Sequence, residues 1–367
     1  MLRKRSISIF LLCCSVLLFP FSALADEAGR LYTMTNAAAG NEIVMFSRAD
    51  DGTLSLLGNV ATGGKGTGDN LGNQSGIAIS ADNQWLLVIN AGSNTLSVFA
   101  ITNTGLQLRD RAYTYGMRPT SVTLSGSTAY VLNAGSDDLV AFFLSPTGKL
   151  HGLPGSIRFL SGKGVGGAQV GVSPDGRTLV VSEKASNLLT AYRIGFGGYL
   201  SRGHSFAATG ATPFGFGFGR RGQLFVTQAE GGIPDISTVG AYHVDAWSNI
   251  DPVGGAISTH QTAACWLAVS LDNRYAYSTN PGSDSVSGFS IAADGSLALL
   301  NADGVTAQLP AGSGPLDVAF TDDGRFLYTL NAANGTISSY QLNADGSLAE
   351  VGVFSGIPVG ADGLVVR

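Results

Sequence analysis

The chain has 367 residues, with 21 Lys+Arg against 26 Asp+Glu, a net charge of −5, only 13% charged residues and 51 glycines. The acidic balance excludes nucleic acid and anionic membrane surfaces as partners. Three cysteines are too few for a disulfide-built scaffold in a chain of this length, so a large apolar core must hold the fold.

Residues 1–25 read as a signal peptide. Arg3-Lys4-Arg5 is a positive leading segment, Ile9 to Leu18 is mostly apolar, and Ala23-Leu24-Ala25 is a small-x-small cleavage site. Pro20 interrupts the apolar run and nothing later resembles a membrane span, so export with cleavage is expected, to the periplasm or the exterior. Cys13 and Cys14 fall in this leader, which leaves Cys265 alone in the remainder. Without Arg3, Lys4 and Arg5 the balance is 18 basic against 26 acidic residues, a net charge of −8. Residues 26–367 then form one domain.

That domain is built of repeats. The stretch Asp323-Gly-Arg-Phe-Leu-Tyr-Thr-Leu-Asn331 has relatives at Leu31–Asn36, Asp82–Asn90, Ser127–Asn133, Asp175–Glu183, Arg221–Gln228 and Asp272–Asn280. Their closing residues, 36, 90, 133, 183, 228, 280 and 331, recur about every 49 residues, the length of a propeller blade. In the last full unit, Leu316–Thr321, Arg325–Leu330, Thr336–Leu342 and Leu348–Phe354 read as four strands joined by Asp-Gly and Asn-Gly turns, which supply the positive φ of hairpins. The chain opens on a second strand and ends, at Gly363–Val366, on a first one. The expected fold is therefore an all-β, seven-bladed β-propeller in which the C-terminal strand closes the N-terminal blade and leaves no open sheet edge.

The turns after the seven closing residues share one rim with the loops that lead into each first strand. Loops gathered at one end of a rigid scaffold are where function usually sits. Five closing residues are Asn, which caps turns with its amide. Glu183 and Gln228 break this pattern in adjacent blades, and a carboxylate in place of an amide points to a site facing the central pocket. His260, the only one of four histidines expected on this rim, is a candidate general base. Arg118 is a candidate partner for a substrate carboxylate. Glu230 opens an unusually long turn through Gly231-Gly-Ile-Pro-Asp235 that could cover the pocket. Gly63-Gly-Lys-Gly66 lacks the glycine and hydroxyl positions of a phosphate loop, no Gly-x-Ser-x-Gly elbow occurs, and no histidine pair has metal spacing. Cys265, beside Trp266, reads as a small buried hydrophobe. No metal and no cofactor are expected.

The units Arg325-Phe-Leu-Tyr-Thr-Leu-Asn331 and Arg274-Tyr-Ala-Tyr-Ser-Thr-Asn280-Pro-Gly-Ser-Asp-Ser-Val resemble the YVTN-type repeats of extracellular propellers and the seven-bladed lactonase family that includes 6-phosphogluconolactonase and carboxymuconate cyclase. The resemblance covers residues 30–367 and implies ring opening or closing of lactones. Where the family has a His on one inner strand and Asp-Leu-Gly at the next turn, this chain has Gln169 and Glu183. Where it has Pro-Arg-His and Asn-Glu-Leu, this chain has Pro213-Phe-Gly215 and Gln228-Ala-Glu230. A later Asn-Arg-Gly becomes Asn280-Pro281-Gly282. The acidic and amide groups persist while the basic ones do not, which turns the expectation away from phosphorylated or polycarboxylated substrates. The expected protein is a monomeric lactone or ester hydrolase acting on a small molecule. Glu183 or His260 activates water, Gln169 and Gln228 orient the carbonyl, and Arg118 and Glu230 contribute to binding. A calcium-dependent version would use Glu183 with asparagine oxygens of the channel. The alternative is a non-catalytic propeller that binds a protein, peptide or glycan on the same rim.

Overall fold

The computed structural model describes residues 28–367, so the leader expected at residues 1–25 lies outside the described residues. Seven antiparallel sheets of four or five strands make up the described chain. The first strands run along the channel, at Ile77–Ile79, Pro119–Ser125, Gly167–Val172, Pro213–Phe218, Trp266–Val269, Pro315–Phe320 and Asp362–Val366. The second strands carry the sequence repeat, as in Phe326–Asn331 and Tyr275–Asn280, which are buried throughout. Blades are numbered here by their second strands, so blade 1 contains Gly29–Met34 and blade 7 contains Phe326–Asn331.

The ring closes as expected. Asp362–Val366 pairs antiparallel with Gly29–Met34, Leu31 opposite Val366 and Thr33 opposite Leu364, and becomes the inner strand of blade 1. Blade 1 differs from the others at one detail: its second strand stops at Met34, two residues short of Asn36, which adopts a positive φ of 49°.

In three blades the tyrosine of the repeat joins its blade to the next. Tyr130, Tyr277 and Tyr328 are fully buried, and each hydroxyl donates to a glycine carbonyl in the following blade: Gly198 at 2.8 Å, Gly346 at 2.7 Å and Gly52 at 2.8 Å. The ring fills the space between two sheets while its polar tip satisfies a turn carbonyl that packing has removed from water. Cys265, buried beside Trp266, is the only cysteine among the described residues. Burial pushes its thiol up to about 12, so it packs as a hydrophobe and is not a nucleophile at neutral pH. Among the described residues no helix is long and apolar enough to cross a membrane.

Candidate functional site

The closing residues serve the hairpins. Asn90 donates to Thr95 at 3.1 Å and Ser97 at 2.9 Å, Asn280 to Ser285 at 3.0 Å and Ser287 at 2.9 Å, and Asn331 to Thr336 at 3.1 Å and Ser338 at 2.8 Å. Each amide ties the end of the second strand to hydroxyls at the start of the third. In these three blades the amide nitrogens turn into the hairpin, whereas Asn36 donates to Thr67 at 3.3 Å and to the Asp69 carbonyl at 2.7 Å. Among the described residues no group of three or more His, Cys, Asp or Glu side chains is placed to hold a metal ion.

Glu183 does the same work with a carboxylate. It is fully buried and accepts from Thr190 Oγ1 at 2.6 Å, Ser186 Oγ at 2.9 Å, the Ser161 N–H at 3.2 Å and the Ser161 hydroxyl. The orientation expected from sequence, toward the central pocket, is therefore corrected: strand pairing with Leu188 sends residue 183 into its own hairpin. Ser161 and Thr190 line an outer cavity of about 500 Å³ with Arg158 and Arg202, so the carboxylate backs onto that cavity. Gln228 is also buried, donating to Tyr242 and Thr209, both at 2.8 Å, and accepting from Thr238 at 2.6 Å. Glu230, at a φ of 48°, shares Thr238 at 3.1 Å. His260 is exposed and follows the outer strand Ile257–Ser258, with its Nδ1 3.5 Å from Ser258. The inner strand of the next blade begins only at Trp266. No contact joins His260 to Glu183 among the described hydrogen bonds.

A different group converges on the channel. Residues 70–76 leave blade 1 and cross to the inner strands on the far side. The Gln74 N–H donates to the Ala168 carbonyl in blade 4 at 3.1 Å. The Gln74 amide donates to the Leu267 carbonyl at 3.0 Å and accepts from the Leu267 N–H at 3.2 Å, in blade 6. Trp266 Nε1 donates to the Asn73 carbonyl, and the Asn73 amide donates to the Thr120 carbonyl in blade 3 and, at 3.3 Å, to Asp362 in blade 1. Lys184 Nζ donates to the Gly72 carbonyl and stands 4.6 Å over the Phe214 ring. Arg118, exposed on the rim, reaches the Asn70 carbonyl at 3.5 Å. Alternation along the strand end explains why Lys184 enters the channel while Glu183 does not.

Beneath this segment lie Asp317 and Asp362, each 3% exposed on adjacent inner strands. Burial pushes the Asp317 carboxyl up to about 7, against the pull of N–H groups of Val318, Leu364 and Ser75. Burial also pushes Asp362 up to about 8, and the Asp317 charge adds to the effect. Burial lowers Lys184 to about 8, with the Arg118 charge acting in the same direction. Two carboxyls and an amine that all change protonation near neutrality form an acid–base group. Gln169, also buried, spans from blade 4 to blade 5, with its amide donating to the Phe216 carbonyl at 3.0 Å and accepting from its N–H at 2.6 Å. Of the residues expected from sequence, Arg118 thus meets the channel group and Gln169 holds its wall. Glu183, Gln228 and Glu230 lie in hairpin networks. Lys184, Asp317, Asp362, Asn73 and Gln74 were not singled out. The available signal was an Asp within each of two inner strands, Pro315-Leu-Asp317 and Ala361-Asp362, in segments otherwise small or apolar.

The sequence pattern of the family described as "Lactonase, 7-bladed beta-propeller" matches residues 21–159 and 259–365. The chain belongs to this lactonase family. The interval left unmatched, 160–258, holds blades 4 and 5, and with them Glu183, Gln228 and Glu230. A Bacteroides fragilis structure given as a candidate 6-phosphogluconolactonase superposes on the lactonase-family chain with a TM-score of 0.75 at 19% identity, covering 93% of this chain and 98% of that one. The Pseudomonas aeruginosa periplasmic gluconolactonase superposes with a TM-score of 0.72 at 17% identity, covering 92% and 98%. A Lactobacillus plantarum protein gives 0.75 at 17%, covering 92% and 99%. At these identities the likeness is one of fold. No curated protein matches the chain.

Proposed function

We propose that this lactonase-family propeller is an exported hydrolase that opens a small, non-phosphorylated lactone or related ester at the channel mouth. The observation that carries the reading is the buried pair Asp317 and Asp362 beside Lys184, in a chain whose family is one of lactonases. In the reaction, ionised Asp317 takes a proton from water as the water oxygen attacks the ring carbonyl carbon. The ring C–O bond breaks, and protonated Asp362 gives its proton to the departing ring oxygen, leaving a hydroxy acid. Lys184 holds the carbonyl oxygen as charge develops there, and Arg118 receives the new carboxylate. Among the described residues, Lys184 and Arg118 are the basic side chains that hydrogen-bond to the segment, which supports a substrate without phosphate. Export is supported by the leader pattern of residues 1–25 and by the periplasmic neighbour from Pseudomonas aeruginosa.

A second arrangement keeps the carboxylate expected from sequence. Glu183 would activate water through Ser161 from the outer cavity that Ser161 and Thr190 line. Acid release by residues 26–367 over a panel of neutral lactones separates the two. Asp317→Asn is expected to lower turnover by 10²-fold or more, the usual contribution of a general base, with Glu183→Gln within a few-fold of the unmodified protein. The reverse result moves the chemistry to the outer cavity. No turnover on any lactone favours a binding propeller, for which exposed Tyr115, Met117 and Phe159 on the same rim offer an apolar surface.

A further inference from the structure

In three blades an inner-strand side chain accepts from the backbone of the next blade. Ser121 accepts from the Val170 N–H at 3.1 Å, Gln169 from the Phe216 N–H at 2.6 Å, and Asp317 from the Leu364 N–H at 3.2 Å. Blade 5 has Gly215 at this position and no side chain to offer. The Leu267 N–H is satisfied by Gln74 instead, whose Oε1 lies 2.0 Å from where a Cβ on Gly215 would be. At blade 5 the crossing segment therefore supplies the acceptor that the strand itself lacks.

The contact is two-sided. Three oxygens of the segment, those of Gly72, Asn73 and the Gln74 amide, accept from Lys184, Trp266 and Leu267. Three of its N–H donors, from the Asn73 amide, the Gln74 amide and the Gln74 backbone, meet the carbonyls of Thr120, Leu267 and Ala168. The match is incomplete, because Asn73 Oδ1 and Thr120 Oγ1 are buried without a hydrogen-bond partner among the described residues. The turn also holds Ser75 at a φ of 63°, a left-handed conformation unfavourable for a residue with a Cβ.

We infer that this cradle is a ligand site occupied by the chain's own residues 72–74, which act as an intramolecular competitor. Its ligand is a small neutral molecule with a carbonyl oxygen for Lys184, Trp266 and Leu267 and adjacent hydroxyls for the facing carbonyls. The inference rests on the proposed function only for what then happens to the ligand. A competitor lowers apparent affinity by the fraction of time it leaves the site open, so weakening the segment raises affinity. This direction is opposite to that of removing an ordinary binding residue.

The test uses residues 26–367 and D-glucono-δ-lactam, a neutral ring amide that resists hydrolysis. On saturation, hydrogen exchange at the amides of residues 72–76 is expected to accelerate at least roughly tenfold, with Val170 and Phe216 still protected. Gln74→Ala is expected to bind the lactam roughly tenfold more tightly, and Lys184→Met added to it to reverse the gain. Unchanged exchange in the unmodified protein, unchanged or weaker binding by a folded Gln74→Ala, or no binding by either protein would each overturn the inference. The exchange experiment needs no variant, so a misfolded substitution cannot obscure it. Acid release keeps the two readings apart. Tighter lactam binding without lactone turnover leaves the cradle standing and removes hydrolysis, whereas turnover with an undisturbed segment does the opposite.

Discussion

A carboxyl whose pKa is raised by the fold reverses the usual dependence of stability on pH, and Asp317 and Asp362 are two such groups. Their folded-state values near 7 and 8 stand above the ordinary 3.8. Between about pH 4 and 8 the native state therefore binds protons that the unfolded chain has released, and stability falls as pH rises through this window. The contribution is complete below the unfolded value and gone above the folded ones. Asp317→Asn removes one ionisation and should flatten this slope, leaving the variant more stable than the unmodified protein near pH 8. Urea unfolding at pH 5 and pH 8 measures it, and an unchanged slope would count against the raised values of this pair. The same residues show what sequence could not reveal. Glu183 stands out because it departs from a column of asparagines, yet it fills the asparagine's structural place. Asp317 and Asp362 departed from no legible column, because inner-strand residues vary from blade to blade.

At the scale of elements, the second strand is the best-read part of the molecule, because its alternation and its closing amide are both dictated locally. In three blades its tyrosine joins one blade to the next through a single hydrogen bond. Tyr277→Phe deletes the hydroxyl that donates to Gly346 at 2.7 Å and leaves a buried carbonyl unpaired. The expected loss is about 1–2 kcal/mol, seen as a lower urea midpoint with an unchanged m-value. A smaller change would mean that water or another donor replaces the hydroxyl. The loops into the inner strands were read less well. His260 is expected on the rim where the chain enters an inner strand, but that strand begins only at Trp266, and the segment 70–76 has no counterpart in the repeat from which its path could be inferred.

For the whole molecule, closure is the decisive contact. Asp362–Val366 supplies the inner strand of blade 1, so the first and last residues of the domain belong to one sheet, and blades 1 and 7 meet through Tyr328 and Gly52. Deleting residues 361–367 would uncover the edge of Gly29–Met34 along the channel. The expected product is insoluble on expression, and a soluble truncation with a sharp melting transition would show that the ring does not need this strand.

The sequence by itself determined the number of blades, the strand order within each and the way the ring closes, because a repeat of fixed length with turn residues at fixed offsets admits one arrangement. It also marked the family and the two blades that depart from it. The tertiary structure alone decided which polar residues meet. Gly72, Lys184, Trp266 and Asp362 are far apart in the chain and become neighbours only when seven blades surround one channel. Whether a side chain faces that channel or its own hairpin is set by strand pairing, which the residue's identity does not report.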